Sequence, residues 1–168
     1  MRINKNIGPF IFMLLWFVGL SGQQTVGTNG IKFSYTIKSD SLFCTLKAET
    51  QGWLGIGFNF KNSIVGSDLL LFNHVNGIPT CRDMYVKSFG NPKRDVDLGG
   101  ACSIRVLGSE ENNHSTTVRF SIPMQSDDPF DFNHTQKKEY WLILAYAVAD
   151  EFEHHSRVRK HIPFKLVR

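Results

Sequence analysis

The segment Gly52–Asn59, which reads Gly-Trp-Leu-Gly-Ile-Gly-Phe-Asn, constrains the fold of this chain most strongly. At the two-residue period of a β-strand, one face is fully apolar and consists of Leu54, Ile56 and Phe58. The other face carries an indole, an amide and two positions without a side chain: Trp53, Asn59, Gly55 and Gly57. Glycine weakens a strand interior, so this pair indicates a bulge or the close approach of a ring, a ligand or another backbone. An aromatic side chain of the same protein lying over the glycines is the alternative to a bound ligand.

Short alternating segments separated by turn residues run along the rest of the chain. Ile31–Lys38 alternates apolar and polar side chains, and Asn76-Gly77 is a strong two-residue hairpin signal that follows the strand pattern of Asp68–Val75. Tyr140–Ala149 is nearly all apolar, as expected of a central strand buried on both faces. Ser88–Gly100 is predicted to be a long loop. About nine strands and no amphipathic helix predict an all-β fold, a single antiparallel β-sandwich of about nine or more strands, immunoglobulin-like in architecture.

Residues 1–22 have the composition of a secretory signal peptide. A basic start precedes the apolar segment Ile7–Leu20, and small residues follow it, so cleavage is expected near Ser21 or Gly22. An uncleaved signal anchor is the alternative, but the apolar segment is shorter than the roughly 20 residues that span a bilayer. We therefore expect a secreted, extracellular protein in which residues 23–168 form one domain. No transmembrane segment is predicted beyond the signal peptide.

Charge and motif content exclude several classes of function. The formal net charge of +4 is too small to indicate nucleic-acid binding, and no nucleic-acid-binding motif is present. The sequence singles out no nucleophile elbow and no Ser/His/Asp or Cys/His set. It also lacks the Cys/His spacings of a zinc site. We therefore expect a non-catalytic protein without a metal ion, whose partner is a small-molecule or carbohydrate ligand.

The three cysteines allow one disulfide bond and one free thiol in an oxidising compartment. Cys81 and Cys102 flank a polar segment, and a bridge between them would close a loop of roughly 20 residues, which is worth about 3 kcal/mol in the loop-entropy model. Cys44 alternates with Leu42 and Leu46 on an apolar strand face and is interpreted as a buried free thiol. A Cys44–Cys81 bridge is the competing pairing.

Two sequons predict glycosylation of a secreted protein. Asn113-His114-Ser115 and Asn133-His134-Thr135 both lie in polar segments that are typical of surface loops. Asn113 and Asn133 are therefore the expected carriers of N-linked glycans.

Aromatic and polar residues near the glycine pair form a candidate sugar site. Sugar sites stack a ring on the apolar face of a pyranose and bind its hydroxyls through polar side chains. The candidate ligand-binding residues are Trp53, Gly55, Gly57, Asn59, Asp68 and Tyr85. Trp141 is a further aromatic candidate, and packing inside a sandwich explains each of these aromatic residues equally well.

Several short motifs follow one another in a characteristic order. They are Gly52–Phe58, Gly66-Ser67-Asp68, Asp83-Met84-Tyr85, Gly90-Asn91-Pro92 leading to Asp95, and Leu144–Ala147 followed by His154-His155 and Arg157. In this order they resemble a DOMON domain, the sandwich module of dopamine beta-monooxygenase, of cytochrome b561-linked ferric reductases and of the cytochrome part of cellobiose dehydrogenase. The resemblance extends from Ile31 to Val167, nearly the whole chain after the signal peptide.

The resemblance implies binding of haem or of a sugar. Haem-binding members hold b-type haem between a methionine and a histidine, and the position of that methionine is Ile64 here, which has no donor atom for iron. His154 or His155 corresponds to the histidine, with Met84 as a shifted partner. The implied function is a secreted DOMON-type ligand-binding module. The alternatives are a b-type haem electron-transfer protein and an extracellular matrix or interaction protein with a vestigial pocket.

Overall fold

Two antiparallel sheets form the protein in the computed structural model, which describes residues 23–167. The signal-peptide prediction falls on residues 1–22, outside the described residues. The eleven strands are β1 Gln24–Thr28, β2 Ile31–Lys38, β3 Ser41–Ala48, β4 Leu54–Asn59, β5 Asp68–Val75, β6 Ile78–Ser88, β7 Asn91–Arg94, β8 Arg105–Glu111, β9 Thr116–Pro123, β10 Glu139–Tyr146 and β11 Val158–Lys165. The predicted all-β sandwich is confirmed.

The sheets differ in size and in how their strands follow the chain. The smaller sheet has five strands in the order β1-β2-β3-β9-β8, and the larger has six in the order β11-β10-β4-β5-β6-β7. Strand β4 is central to the larger sheet, between β10 and β5, and all six of its residues are buried. The glycine-containing segment therefore lies at the centre of the fold.

The hydrophobic core fills the space between the two sheets. Alternation along each strand directs one face inward, and its largest fully buried side chains include Phe33, Leu46, Phe58, Phe72, Phe120 and Leu142. Rings from opposite sheets meet directly: the Phe72 and Phe120 centroids are 4.5 Å apart. Close contact between large side chains of both sheets excludes water, and this burial of apolar surface makes the main favourable contribution to the stability of the sandwich.

The hairpin between β5 and β6 follows the sequence signal. Asn76 and Gly77 have φ angles of 53° and 81°, and Val75 pairs with Ile78 across the turn. Positive φ at both central residues is the requirement of the two-residue turn that matches strand twist, and Asn-Gly meets it at low cost.

Two predicted segments differ from the structure. The predicted loop Ser88–Gly100 contains the short strand β7 and a 3₁₀ helix at Asp95–Leu98. Strand β7 pairs with β6 alone at the sheet edge, where Pro92 is tolerated and alternation of apolar and polar residues is weak. Strand β10 ends at Tyr146 instead of Ala149. The Ala147 N–H still donates to the Trp53 carbonyl at 2.9 Å, but the Trp53 N–H donates to the Ala149 carbonyl at 3.0 Å, so the regular pairing with β4 stops there. Within residues 23–167, no helix has the length and apolarity needed to cross a membrane.

Candidate functional site

Side chains of the protein itself cover both glycines of β4. A Cβ atom added to Gly55 would lie 2.8 Å from Leu71 Cδ2 and 3.3 Å from the Trp53 ring. A Cβ atom added to Gly57 would lie 3.3 Å from Ile143 Cβ. Internal packing of neighbouring strands therefore accounts for the absence of side chains at both positions.

Trp53 is part of an apolar cluster on the outer face of the six-stranded sheet. Its members are Trp53, Leu71, Met84, Ala145 and Ala147, with Leu69 and Phe152 packed against them. The Trp53 side chain is buried, and its Nε1 donates a hydrogen bond to the His154 carbonyl at 3.1 Å. This bond ties the segment after β10 to the start of β4. His154 and His155 are themselves exposed.

The Asn59 side chain organises the loop between β4 and β5. Its Nδ2 donates to the carbonyls of Ser63 at 2.8 Å and Val65 at 3.0 Å, and its Oδ1 accepts from the Lys61 N–H at 3.0 Å. These three bonds use the hydrogen-bonding capacity of the amide almost completely. Ile64 lies in the loop that they hold.

A polar cleft of about 470 Å³ opens beside the outer apolar cluster. It lies between strands β5 to β7 and the segment that follows β10. Its lining residues are Asn73, Thr80, Cys81, Arg82, Asp83, Arg94, Val96, Cys102, Asp150, Glu151, Phe152 and Glu153. None of the six candidate ligand-binding residues predicted from the sequence lines this cleft.

Internal contacts hold one wall of the cleft in place. The Arg82 guanidinium lies 4.6 Å from the centroid of the Phe152 ring, and its Nη1 is 2.6 Å from Glu153 Oε1. On the same wall, Asn73 Nδ2 donates to the Asp150 carbonyl at 3.0 Å and Thr80 Oγ1 donates to Asn73 Oδ1. This arrangement attaches the segment after β10 to β5 and β6.

Other polar groups of the cleft remain available to a ligand. Asp150 Oδ1 is buried and has no hydrogen-bond partner among the described residues, and burial, followed by the Glu111 carboxylate, raises the pKa of Asp150. The side chains of Arg94 and Glu151 line the cleft and are exposed, and Arg94 Nε lies 3.8 Å from Asp97 Oδ2. Together they offer a donor fork and two carboxylates to a bound hydroxyl-bearing molecule.

Cys81 and Cys102 lie side by side in the cleft, in the reduced form. Burial, together with the adjacent Cys102 thiol, raises the pKa of Cys81 to about 12. Cys44 is buried in the core, where burial raises the pKa of its thiol. The Cys81–Cys102 bridge stays a prediction, and the side-by-side thiols satisfy its need for proximity.

Protein collected from an oxidising medium is expected to contain the Cys81–Cys102 disulfide. Its reduction, or the variant Cys102→Ser, should lower the free energy of unfolding by about 3 kcal/mol, because the loop of roughly 20 residues is released. Peptide mapping without reduction measures the pairing directly, and Cys44→Ser is the matched control that leaves this bridge intact. Alkylation of both Cys81 and Cys102 as free thiols would contradict the prediction.

Asp68 begins β5 and belongs to a buried group of carboxylates. Its Oδ2 accepts a hydrogen bond from the Phe132 N–H at 2.9 Å, whereas its Oδ1 has no partner. On the neighbouring strand, Asp83 Oδ2 accepts from the Ser103 N–H at 2.8 Å and its Oδ1 is likewise unpaired. Oxygen atoms of Asp68, Asp83 and Asp131 lie within 4.8 Å of one another, which is a spacing that one cation can bridge.

Burial changes the acidity of this group. It raises the pKa of Asp68 well above the usual range, with the Asp83 carboxylate as the next cause. Burial likewise raises the pKa of Asp83 to about 6, although hydrogen bonds from Ser103 oppose the change. For Asp95, burial and then the Asp83 charge raise the pKa to about 7.

The remaining predicted residues lie apart from the cleft. Tyr85 pairs with Asp68 across β5 and β6, and its ring is 5.6 Å from that of Phe130. Asn113 is exposed in the turn between β8 and β9. Asn133 is half-buried, and its Oδ1 accepts hydrogen bonds from the N–H and the hydroxyl of Thr135.

The family model for the DOMON domain matches residues 27–147. The chain belongs to the DOMON family. Mouse DBH-like monooxygenase protein 2 is 28% identical over 128 residues, which cover 76% of this chain and 20% of that protein. The chain therefore spans about a fifth of the length of this curated relative.

Two solved structures share the DOMON sandwich. The cytochrome domain of Myriococcum thermophilum cellobiose dehydrogenase matches with a TM-score of 0.61 and 12% identity, covering 86% of this chain and 82% of that one. The cytochrome b domain of pyranose dehydrogenase from Coprinopsis cinerea matches with a TM-score of 0.59 and 11% identity, covering 80% and 76%. At this identity the likeness shows the fold.

The residues of this DOMON domain do not fit a haem held by methionine and histidine. The loop position that corresponds to the methionine holds the aliphatic Ile64, and the imidazoles of His154 and His155 are on an exposed segment. Met84, the shifted candidate, is buried in the outer cluster with Trp53 and Phe152. An axial pair requires two donor atoms that face each other across an open slot, and Met84 packs inside this cluster instead.

Sequence reasoning missed several polar residues of this domain. Asp83 and Asp95 lie within the motifs named above, whereas Asp131 lies in the connection between β9 and β10. No short sequence pattern therefore links the three residues. His134 belongs to a sequon that was expected in a surface loop, yet it is buried between Phe58 and Tyr140. The high aspartate content of Met124–Lys138 is the one sequence feature that could have indicated a role for this connection.

Proposed function

We propose that this DOMON protein is a secreted, non-catalytic binding module whose ligand is a small polar molecule of the carbohydrate class. Its family supports a ligand-binding or electron-transfer module. The observation that carries the proposal is the polar cleft between β5–β7 and the segment after β10. The amino-terminal segment 1–22 and the two sequons support export from the cell.

The size and chemistry of the cleft favour a sugar. A volume of about 470 Å³ lies within the 300–1,000 Å³ range of small-molecule sites. Arg94 supplies a planar donor fork, and Asp150 and Glu151 supply acceptors, which together can bind vicinal hydroxyl groups. Because Arg82 covers the Phe152 ring, recognition would rest on hydrogen bonds to hydroxyls instead of stacking on that ring.

A redox role has weaker support from the residues present. Electron transfer through haem requires axial donors, and the methionine position of the family holds Ile64. A polar cleft lined by carboxylates is also unsuited to an apolar macrocycle, because their charges would be desolvated without compensation. We therefore place the ligand in the polar cleft.

Replacement of the available cleft residues should weaken sugar binding. Glycan-array screening of the secreted protein is expected to yield a hit, and calorimetry with that glycan should show about a tenfold or greater loss of affinity for Arg94→Gln and for Glu151→Gln, since each removes a charge-assisted hydrogen bond. The matched control is Lys93→Gln, an exposed neighbour that does not line the cleft. An array without hits, or equal affinity in all variants, would refute the sugar proposal.

An absorption spectrum separates this proposal from the haem alternative. Protein supplemented with haem and then purified is expected to lack a Soret band that shifts on reduction. A stoichiometric band of that kind would favour the cytochrome, and separate His154→Ala and His155→Ala variants would then identify the ligand.

A further inference from the structure

We propose that Asp68, Asp83 and Asp131 bind one calcium ion at the edge of the six-stranded sheet, beside the buried Asp95. These residues come from four places in the fold: the start of β5, the middle of β6, the 3₁₀ helix after β7, and the connection between β9 and β10. Asp83 also lines the polar cleft, but the site uses none of the proposed hydroxyl-binding groups and does not depend on the sugar proposal.

The spacing of the carboxylates fits one ion. Oxygen atoms of Asp68, Asp83 and Asp131 lie within 4.8 Å of one another, and so do oxygen atoms of Asp95, Asp128 and Asp131. Calcium binds oxygen at about 2.4 Å, so two of its ligands are at most about 4.8 Å apart. The first set therefore forms the centre, and Asp131, which belongs to both sets, places Asp95 beside it.

Unpaired oxygens are concentrated at this centre. Among the described residues, four buried carboxylate oxygens of the three ligands have no hydrogen-bond partner: Oδ1 of Asp68, Oδ1 of Asp83 and both oxygens of Asp131. Both oxygens of the neighbouring Asp95 are unpaired as well. Asp68, Asp83 and Asp95 are 6%, 5% and 0% exposed. Buried polar atoms are nearly always paired, and calcium accepts six to eight oxygen ligands.

Protein cations do not neutralise the group. The four ion pairs found within residues 23–167 join other residues: Arg82–Glu153, Arg94–Asp97, Arg119–Glu110 and Lys165–Glu139. Burying an uncompensated carboxylate is costly, and burying four together adds mutual repulsion. Burial and the neighbouring carboxylates also raise the pKa values of these aspartates. A bound divalent cation would compensate the negative charges.

The ligand atoms favour calcium over other metals. All of them are carboxylate oxygens, which suit hard cations, whereas zinc prefers nitrogen and sulfur. Magnesium usually keeps several of its waters and is seldom held in a cage made by the protein alone. A buried site made of carboxylate oxygens therefore favours calcium.

Asp128 positions the connection that carries Asp131. Its Oδ1 accepts from the Phe130 N–H at 2.9 Å, and its Oδ2 accepts from the Ala101 N–H. Gly100 makes room for this carboxylate, because a Cβ atom there would overlap Asp128 Oδ2. With both oxygens used by the backbone, Asp128 holds in place the loop from which Asp131 reaches the ion.

Calcium titration of the full secreted protein after EDTA treatment tests the proposal. Calorimetry is expected to give one site, with magnesium binding at least tenfold more weakly. At a calcium concentration about 100-fold above the Kd, the midpoint of thermal unfolding should rise by about 5–10 °C. No heat of binding and no shift of the midpoint, or a stoichiometry of two, would overturn the single-ion assignment.

Charge-neutral variants distinguish a calcium site from a structural role of the carboxylates. Asp83→Asn should abolish the calcium-dependent shift, yet in EDTA it should unfold at the same temperature as the unsubstituted protein or higher, because one repelling charge is removed. Asp127→Asn, in the same connection as Asp131 but exposed, is the matched control and should keep the full shift. Asp131→Asn, which is half-buried, provides a second test if Asp83→Asn does not fold; a retained calcium shift in either variant would refute the site.

Discussion

Between pH 7 and pH 4, the protein is expected to lose about 3 kcal/mol of unfolding free energy that its His134→Gln variant does not lose. His134 is 2% exposed, and burial lowers its pKa to about 3. The ring lies among the rings of Phe58, Phe132 and Tyr140, with centroids 4.7, 5.0 and 5.7 Å away. Its Nδ1 is 3.2 Å from the Tyr140 hydroxyl, a neutral partner.

The sign of this pH dependence follows from the two pKa values. In the unfolded chain His134 takes up a proton near pH 6.5, whereas in the folded protein it stays neutral down to about pH 3. The unfolded state therefore binds more protons in this window. Stability is fully present above pH 6.5 and is lost as the pH falls toward 3, at up to about 1.4 kcal/mol per pH unit.

Urea denaturation at pH 7 and pH 4 measures the effect. Glutamine at position 134 carries no titrating group and keeps the glycosylation sequon, so the difference between the two proteins isolates the imidazole. Asp68 and Asp131 line the same small cavity as His134, but they are common to both proteins. His114→Gln, the same change in the exposed sequon, is the control, and equal acid sensitivity of the protein and its His134→Gln variant would contradict the prediction.

Gly52→Ala is expected to lower the free energy of unfolding by about 3 kcal/mol or more. A Cβ atom at this position would lie 2.5 Å from the Ala149 nitrogen, 2.6 Å from the Val148 carbonyl carbon and 2.7 Å from the Ala147 oxygen. All three are backbone atoms, which cannot move aside as a flexible side chain can. Overpacking of this kind forces a shift of the backbone and reaches the upper end of its usual range, about 1–3 kcal/mol or more.

The segment that must move is the one that borders the polar cleft. Thr50 Oγ1 donates to the Ala147 carbonyl, and the Trp53 N–H donates to the Ala149 carbonyl at 3.0 Å. We therefore expect Gly52→Ala to weaken ligand binding as well as stability. Thermal unfolding and glycan affinity measure the two effects together.

Gly77→Asn provides the matched control for this substitution. No atom lies within 4 Å of a Cβ placed there, and asparagine tolerates the φ angle of 81°. Its effect should be within about 0.5 kcal/mol. If Gly52→Ala lowers the free energy of unfolding as little as Gly77→Asn does, the close backbone contact at Gly52 does not limit the stability of this part of the fold.

Local patterns accounted for most of the sandwich. Strand β5 was predicted at its exact bounds, because Asp68–Val75 ends in an Asn-Gly turn whose geometry is intrinsic to those two residues. The edge strand β7 was missed, since a four-residue strand containing Pro92 has no periodicity to detect. Its formation depends on the hydrogen bonds that β6 offers, which no local pattern of residues 91–94 records.

The candidate sites show the same difference between what local sequence patterns indicate and what the pairing of strands decides. The sequence identified the glycine pair beside Trp53 as a place of close approach, because the missing side chains are visible in the residue types alone. Which group approaches was decided by register: Leu71 lies opposite Gly55 and Ile143 opposite Gly57. The polar cleft could not be predicted, since it brings together residues between 73 and 102 and residues 150–153, which are distant in sequence.

Residue type and two-residue periodicity were sufficient to establish an all-strand chain with an inward apolar face, since both are properties of neighbours along the backbone. Pairing of distant segments established everything that depends on proximity in space. It brought Asp68, Asp83 and Asp131 together from separate elements and enclosed the His134 imidazole among aromatic rings. Electrostatic and desolvation energies depend on distance and on exclusion of water, and these arise when the two sheets close on each other.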